Sequence, residues 1–137
     1  MEPDHCPFCH RIEEEDVAAS TPLALAFPDA YPISPGHMLV VPRRHEPDFF
    51  NLSPDEQGQM LALAGELHGR LVGELSFDGV NLGINCGEVA GQTITHAHLH
   101  FIPRYRGDVV EPAGGIRWLF PDKARYSLGD HLASPEG

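Results

Sequence analysis

At 137 residues and 15.0 kDa, the chain has the length of one domain and can bury a core without disulfide staples. Nine basic against twenty acidic residues leave a formal charge of −11, the wrong sign for phosphate neutralisation, so duplex nucleic acid and anionic membrane are poor partners. Three cysteines are too few, and of the wrong parity, for a secreted disulfide framework.

Met1-Glu2-Pro3-Asp4-His5 has no basic segment leading into an apolar one, so no secretory leader is expected. Met38-Leu39-Val40-Val41 falls far short of the ~20 apolar residues of a membrane helix, and a reducing cytoplasm is the expected location. Near the start lie Cys6-Pro7-Phe8-Cys9 and the acidic run Glu13-Glu14-Glu15-Asp16, which reads as a solvated face. Leu23 to Phe27 predicts a short strand, broken by the proline- and glycine-punctuated loop Pro28 to Gly36. His37 to Val41 predicts a second, more buried strand closed by Pro42. Ser53-Pro54-Asp55-Glu56 is a helix start: Ser53 caps, Pro54 takes the first position and Glu56 completes a capping box. Met60, Leu63, Leu67, Leu71 and Leu75, widened by Ala64 and Val72, extend that helix to about Leu75 with one face on a sheet.

From Asp78 the apolar period changes to two. Gly79 to Asn85 predicts a strand ending at Gly87, and the loop Gly87 to Gln92 leads into Thr93 to Pro103, another alternating stretch. Arg104 to Gly115 is rich in turn residues, and Leu132 to Gly137 reads as a frayed tail. No repeat and no long linker divides the chain. The expectation is a single α+β domain, an antiparallel sheet with one long helix packed on it.

His96-Ala97-His98-Leu99-His100-Phe101-Ile102 carries the chemistry. On a strand the three histidines share one face, about 6–7 Å between neighbours, while Ala97, Leu99 and Phe101 face the core. Three costly polar side chains in a row need three partners, which a purely structural role does not repay. Two functions fit the pattern. The imidazoles can ligate a catalytic metal, or the central one can attack as a nucleophile while its neighbours manage protons and charge. A histidine nucleophile suits phosphorus, because the P–N bond it forms is labile to water. Spacing alone does not choose between them.

The stretch Gly91-Gln92-Thr93-Ile94-Thr95-His96-Ala97-His98-Leu99-His100-Phe101-Ile102-Pro103-Arg104 resembles the signature of the histidine-triad family. Pro35-Gly36-His37-Met38-Leu39-Val40-Val41-Pro42 resembles that family's second strand, and Asn85-Cys86-Gly87 fits it too, so the resemblance covers about residues 4–106, with 107–137 as an extension. It implies nucleotidyl hydrolysis or transfer through a covalent nucleotidyl-histidine, cleaving at the α-phosphate without a catalytic metal. His98 would be the nucleophile, His100 would contact phosphate oxygens or the reacting proton, and His37 would support it. Gln92 and Thr93 would meet the leaving group and phosphate, Asn85 would hydrogen-bond in the pocket, Asp29 would accept from ribose, and Leu25 and Phe27 could line the base slot. The loop and the tail through Arg117 resemble the dinucleoside-polyphosphate hydrolases of the fragile-histidine-triad branch. The phosphoramidase-type branch and a nucleotide-binding adaptor with weak turnover are the alternatives.

Cys6-Pro7-Phe8-Cys9-His10 admits haem attachment, a redox pair, a zinc knuckle or an inert pair. For the third, the resemblance implies that His45 and His96 complete a structural zinc site with Cys6 and Cys9, leaving His98 free to react. The resemblance also implies a two-fold homodimer. Leu61 lies to the side of the helical stripe and the Phe49-Phe50 pair is hard to bury in one small domain, which fits such an interface. In that dimer the segment 106–117 would reach the partner's pocket.

Overall fold

The computed structural model describes residues 2–14 and 17–126. Glu15, Asp16 and the segment Leu132 to Gly137 lie outside them, whereas Glu13 and Glu14 are exposed as a solvated face should be. In chain order the elements are α1 (Pro7–Glu13), β1 (Ala19–Ser20), β2 (Ala24–Pro28), β3 (Met38–Pro42), α2 (Pro54–Leu71), β4 (Gly79–Ile84), β5 (Leu99–Arg104) and α3 (Pro121–Ala124). The strands form one antiparallel sheet in the order β1-β2-β3-β5-β4. The fold is α+β.

β2 and β3 are nearly continuous apolar runs because both faces of the sheet are covered there. On one face Ala24, Ala26 and Val40 meet Met60, Leu63, Ala64, Leu67 and Leu71 of α2, the small alanines letting the helix approach closely. On the other, Leu25, Phe27, Leu39 and Val41 pack with Cys6 and Phe8 of the N-terminal segment. Leu25 and Phe27 are each only 1% exposed, so they form this second core and do not line an open slot.

α2 begins as expected. The Ser53 hydroxyl accepts from the Glu56 amide at 3.0 Å, and the Glu56 carboxylate accepts from the Ser53 amide at 2.9 Å. Arg44 donates to both Glu56 oxygens, at 3.0 and 3.2 Å, which ties the helix start to the end of β3 and holds the Glu56 carboxyl below its usual range. The helix ends at Leu71, a turn before the expected Leu75, where Gly73 follows. Leu75 still packs on the core, from a turn closed by its amide on the Leu71 carbonyl at 2.7 Å.

Two compact units divide between Tyr105 and Arg106. The second holds a 3-10 turn, Gly115–Leu119, and α3; within it Arg125 pairs with Glu111 at 2.7 Å and lies over the Trp118 ring.

Candidate active site and metal centre

β3 and β5 pair through Met38↔Phe101, Leu39↔His100 and Val40↔Leu99, and the ladder stops there. β5 therefore starts at Leu99, so His96 and His98 precede it and only His100 stands on the strand, contrary to the single strand from Thr93. Before it, the chain is held by other bonds: the His96 ring donates to the Pro42 carbonyl at 2.9 Å, and the Ala97 amide donates to the Glu46 carbonyl at 2.7 Å. Ala97, Leu99 and Phe101 do face the α2 core. The His98 and His100 rings stand 5.1 Å apart, whereas His96 turns its Nδ1 to the two cysteines.

Proton positions follow from partners. The Ile33 amide donates to His37 Nδ1 at 3.2 Å, so the His37 proton sits on Nε2 and points at His100 Nδ1, 3.0 Å away. His100 Nδ1 accepts, which leaves its own proton on Nε2. Asp29 Oδ2 lies 3.4 Å from His37 Nε2 and 4.0 Å from His100 Nδ1, while Asp29 Oδ1 accepts from the Tyr31 amide at 2.8 Å. His98 Nδ1 donates to the His96 carbonyl at 2.8 Å, so its Nε2 carries a lone pair. Burial keeps these rings neutral near pH 7: it lowers the pKa of His37 and His98, and with the nearby His98 and His37 it drives His100 to about 4.

Asp29, His37 and His100 bring their ligand atoms together, yet they suit a proton relay better than a cation. For His37 Nε2 to bind a metal, its proton would have to move to Nδ1, where the Ile33 N–H already points.

A second cluster does suit a cation. Cys6, Cys9, His45 and His96 place one ligand atom each within 4.8 Å of all the others. A tetrahedral zinc with bonds of about 2.3 Å to sulfur and 2.05 Å to nitrogen sets S···N separations of about 3.6 Å. The separations here are 3.5 Å for Cys6–His96, 3.2 Å for Cys9–His45 and 3.5 Å for Cys9–His96. His96 is also in the right tautomer, its Nε2–H spent on the Pro42 carbonyl and Nδ1 facing the sulfurs. Burial and then Cys6 push the Cys9 thiol up to about 11. A bound cation would ionise it.

Of the remaining expected site residues, Gln92 acts as a staple. Its amide donates to the Pro47 and Ile94 carbonyls at 2.8 and 3.1 Å, and its oxygen accepts from the Gly87 amide at 2.9 Å. Asn85 is half-buried beside Gly91, and Thr93 is exposed on the same loop. Asp29 and His37 line a cleft of about 530 Å³ with Ile33, Ser34, Pro35 and Met38. Sequence reasoning passed over Phe8, whose ring stands edge-on to His98 with centroids 5.0 Å apart; an apolar residue between two ligand cysteines was the available signal.

A five-stranded antiparallel sheet that carries histidines along its central strands, beside a cysteine-bearing helix, defines a recognisable class of α+β protein. The family model of the HIT domain matches residues 11–107, and the chain belongs to this histidine-triad family. A bifunctional bis(5'-adenosyl)-triphosphatase/adenylylsulfatase of Arabidopsis thaliana is 35% identical over 99 residues, 72% of this chain and 55% of that protein. The crystal structure of a HIT family protein from Bacillus anthracis superposes with a TM-score of 0.71 at 35% identity, covering 77% of each chain. That of a Zn-bound histidine triad family protein from Mycobacterium smegmatis gives 0.71 at 31% identity, covering 80% of this chain and 82% of the other.

Proposed function

We propose that this chain is a nucleotidyl hydrolase or transferase that cleaves at the α-phosphate of a nucleotide, a dinucleoside polyphosphate being the favoured substrate, through a covalent nucleotidyl-His98. The observation that carries the reading is the pinned ring: with Nδ1–H on the His96 carbonyl at 2.8 Å, His98 has one free lone pair, on Nε2. Nε2 attacks the α-phosphorus, the P–N bond forms, and the phosphoric-anhydride P–O bond breaks. The cationic ring is steadied by the same carbonyl. Water then attacks phosphorus, the P–N bond breaks, its electron pair returns to Nε2, and a nucleoside monophosphate leaves.

His100 presents Nε2–H for a phosphate oxygen or the departing group, with its Nδ1 held by His37 and with Asp29 behind both. The 530 Å³ cleft is of a size to take a nucleoside. Asp29 would offer its carboxylate to ribose there, and Asn85, Gln92 and Thr93 would shape the leaving-group side. The Arabidopsis relative, a bis(5'-adenosyl)-triphosphatase/adenylylsulfatase by name, supports the choice of a dinucleoside polyphosphate as substrate.

The quartet Cys6, Cys9, His45 and His96 would hold one structural zinc, a reading supported by the S···N separations and by the Zn-bound mycobacterial relative. The zinc would pin the N-terminal helix to the segment before β5. Among the described residues no helix is long and apolar enough to cross a membrane, and cysteines given to a metal and not to a disulfide would fit a reducing cytoplasm. Phe50, Leu61 and Val72 are exposed at 73%, 55% and 53%, an apolar surplus that suits a two-fold homodimer.

The test is His98→Ala. Turnover should fall by several orders of magnitude while nucleotide binding stays within about tenfold, and rapid quench of the wild type should trap an acid-labile adduct. A variant with near-normal turnover refutes the mechanism. So does a tight-binding wild type that turns over no dinucleoside polyphosphate, nucleoside phosphoramidate or adenylyl sulfate.

A further inference from the structure

The N-terminal helix does more than bring two sulfurs to the quartet. Between them it plants Phe8, which is 9% exposed and wedged among three rings. Phe8 meets His98 edge-to-face at 5.0 Å and 76°, meets His96 at 6.0 Å and 74°, and is backed by Phe27 at 5.5 Å. His98 also meets His100, at 5.1 Å and 66°. The single hydrogen bond at Nδ1 fixes one atom of the imidazole but leaves the ring free to tilt about that contact. Its contacts with these two rings oppose the tilt, and only one of the two belongs to the proton relay.

We propose that Phe8 is a positioning residue for His98: it holds the imidazole plane so that Nε2 stays aligned with the phosphorus it attacks. The proposal rests on His98 being the nucleophile. Phe8 lies outside residues 11–107, so the wall comes from beyond the stretch that matches the family model. Cys6 and Cys9 flank it, and His96, which shares their quartet, supplies the carbonyl that holds His98 Nδ1. Both restraints on the nucleophile thus start from one cluster. Misalignment of a reacting atom lowers the rate of the chemical step far more than it lowers binding.

Phe8→Leu, assayed on bis(5'-adenosyl) triphosphate, should lower kcat about tenfold while KM stays within about twofold and zinc per chain matches the wild type. The His98 imidazole C–H resonances, identified by their loss in His98→Ala, should shift in the proton spectrum. The control is Ile12→Ala, one turn further along the helix in the same buried cluster, which should leave kcat within about twofold. Should Phe8→Leu lose metal, Phe8→Met takes its place and must meet the same criteria. Equal kcat values for the Phe8 and Ile12 variants, or a loss carried wholly by KM, overturn the positioning role. If His98→Ala is inactive and Phe8→Leu is not, only the positioning fails; if His98→Ala retains turnover, the nucleophile assignment fails first.

Discussion

Acid should destabilise this protein through His100, by an amount the structure sets. Burial first, and then the nearby His98 and His37, hold that ring's pKa at about 4, against about 6.5 for an unfolded histidine. Between those values the unfolded chain binds a proton that the folded chain refuses. The contribution is therefore complete above about pH 6.5 and is lost as pH falls towards about 4. Going from pH 7 to pH 5 should cost about 2 kcal/mol through this one side chain. The local geometry gives the reason: a second proton on His100 would sit on Nδ1, against the N–H that His37 already directs there at 3.0 Å. Urea denaturation of the wild type and His100→Gln at pH 7, 6 and 5 measures the effect. At an m-value of about 2 kcal/mol per molar, the wild-type midpoint should drop about 1 M further than the variant's. His37 and His98 shift in the same direction, and protons also compete at the quartet, but those losses occur in both proteins. Equal losses in the two, or a wild type that gains stability towards pH 5, would refute the assignment of a neutral, proton-refusing His100.

Purified protein should carry about one zinc per chain, and Cys6→Ala, Cys9→Ala or His45→Ala should lower metal content and Tm together; stoichiometric iron, or a metal-free wild type that melts normally, refutes this. Gly36→Ala should cost about 1–3 kcal/mol in chemical denaturation, because φ is +87° and the new methyl would lie 2.6 Å from Leu75 Cδ1; an unchanged midpoint would show that the loop entering β3 adapts freely. Light scattering at micromolar concentration should give about 30 kDa for the wild type and about 15 kDa for Leu61→Glu, and a fully active 15 kDa wild type removes the dimer.

The parts legible in sequence were those in which side chains decide the outcome. The start of α2 matches to the residue because Ser53 and Glu56 satisfy the end amides themselves. Its end was misplaced because Leu75 packs on the core from a turn, and an apolar pattern reports packing and not helicity. Alternation correctly sorted Ala97, Leu99 and Phe101 to the core, yet it put His96 and His98 on a strand. Bonds to Pro42 and Glu46, distant in sequence, take the backbone out of the ladder there. The grouping of Cys6 and Cys9 with His45 and His96 was visible only through the family resemblance, since nothing in the spacing joins Cys6 to His45 or His96. The proton order in the relay was not visible at all, because it depends on a backbone amide, that of Ile33.

The long reach of the quartet has a consequence for the nascent chain. Cys6 and His96 are 90 residues apart, so ribosomes making about 5–20 residues per second expose the cysteines roughly 5–20 s before the last imidazole emerges. In that interval α1, seven residues long, cannot hold itself as a helix, and its thiols face solvent with no partner to shield them. Oxidants and competing chelators have their opening then, and it closes once the segment before β5 has left the exit tunnel and docked. With zinc as the proposed occupant of the quartet, the yield of active protein should therefore follow zinc supply and redox conditions during synthesis more closely than it follows either one after folding.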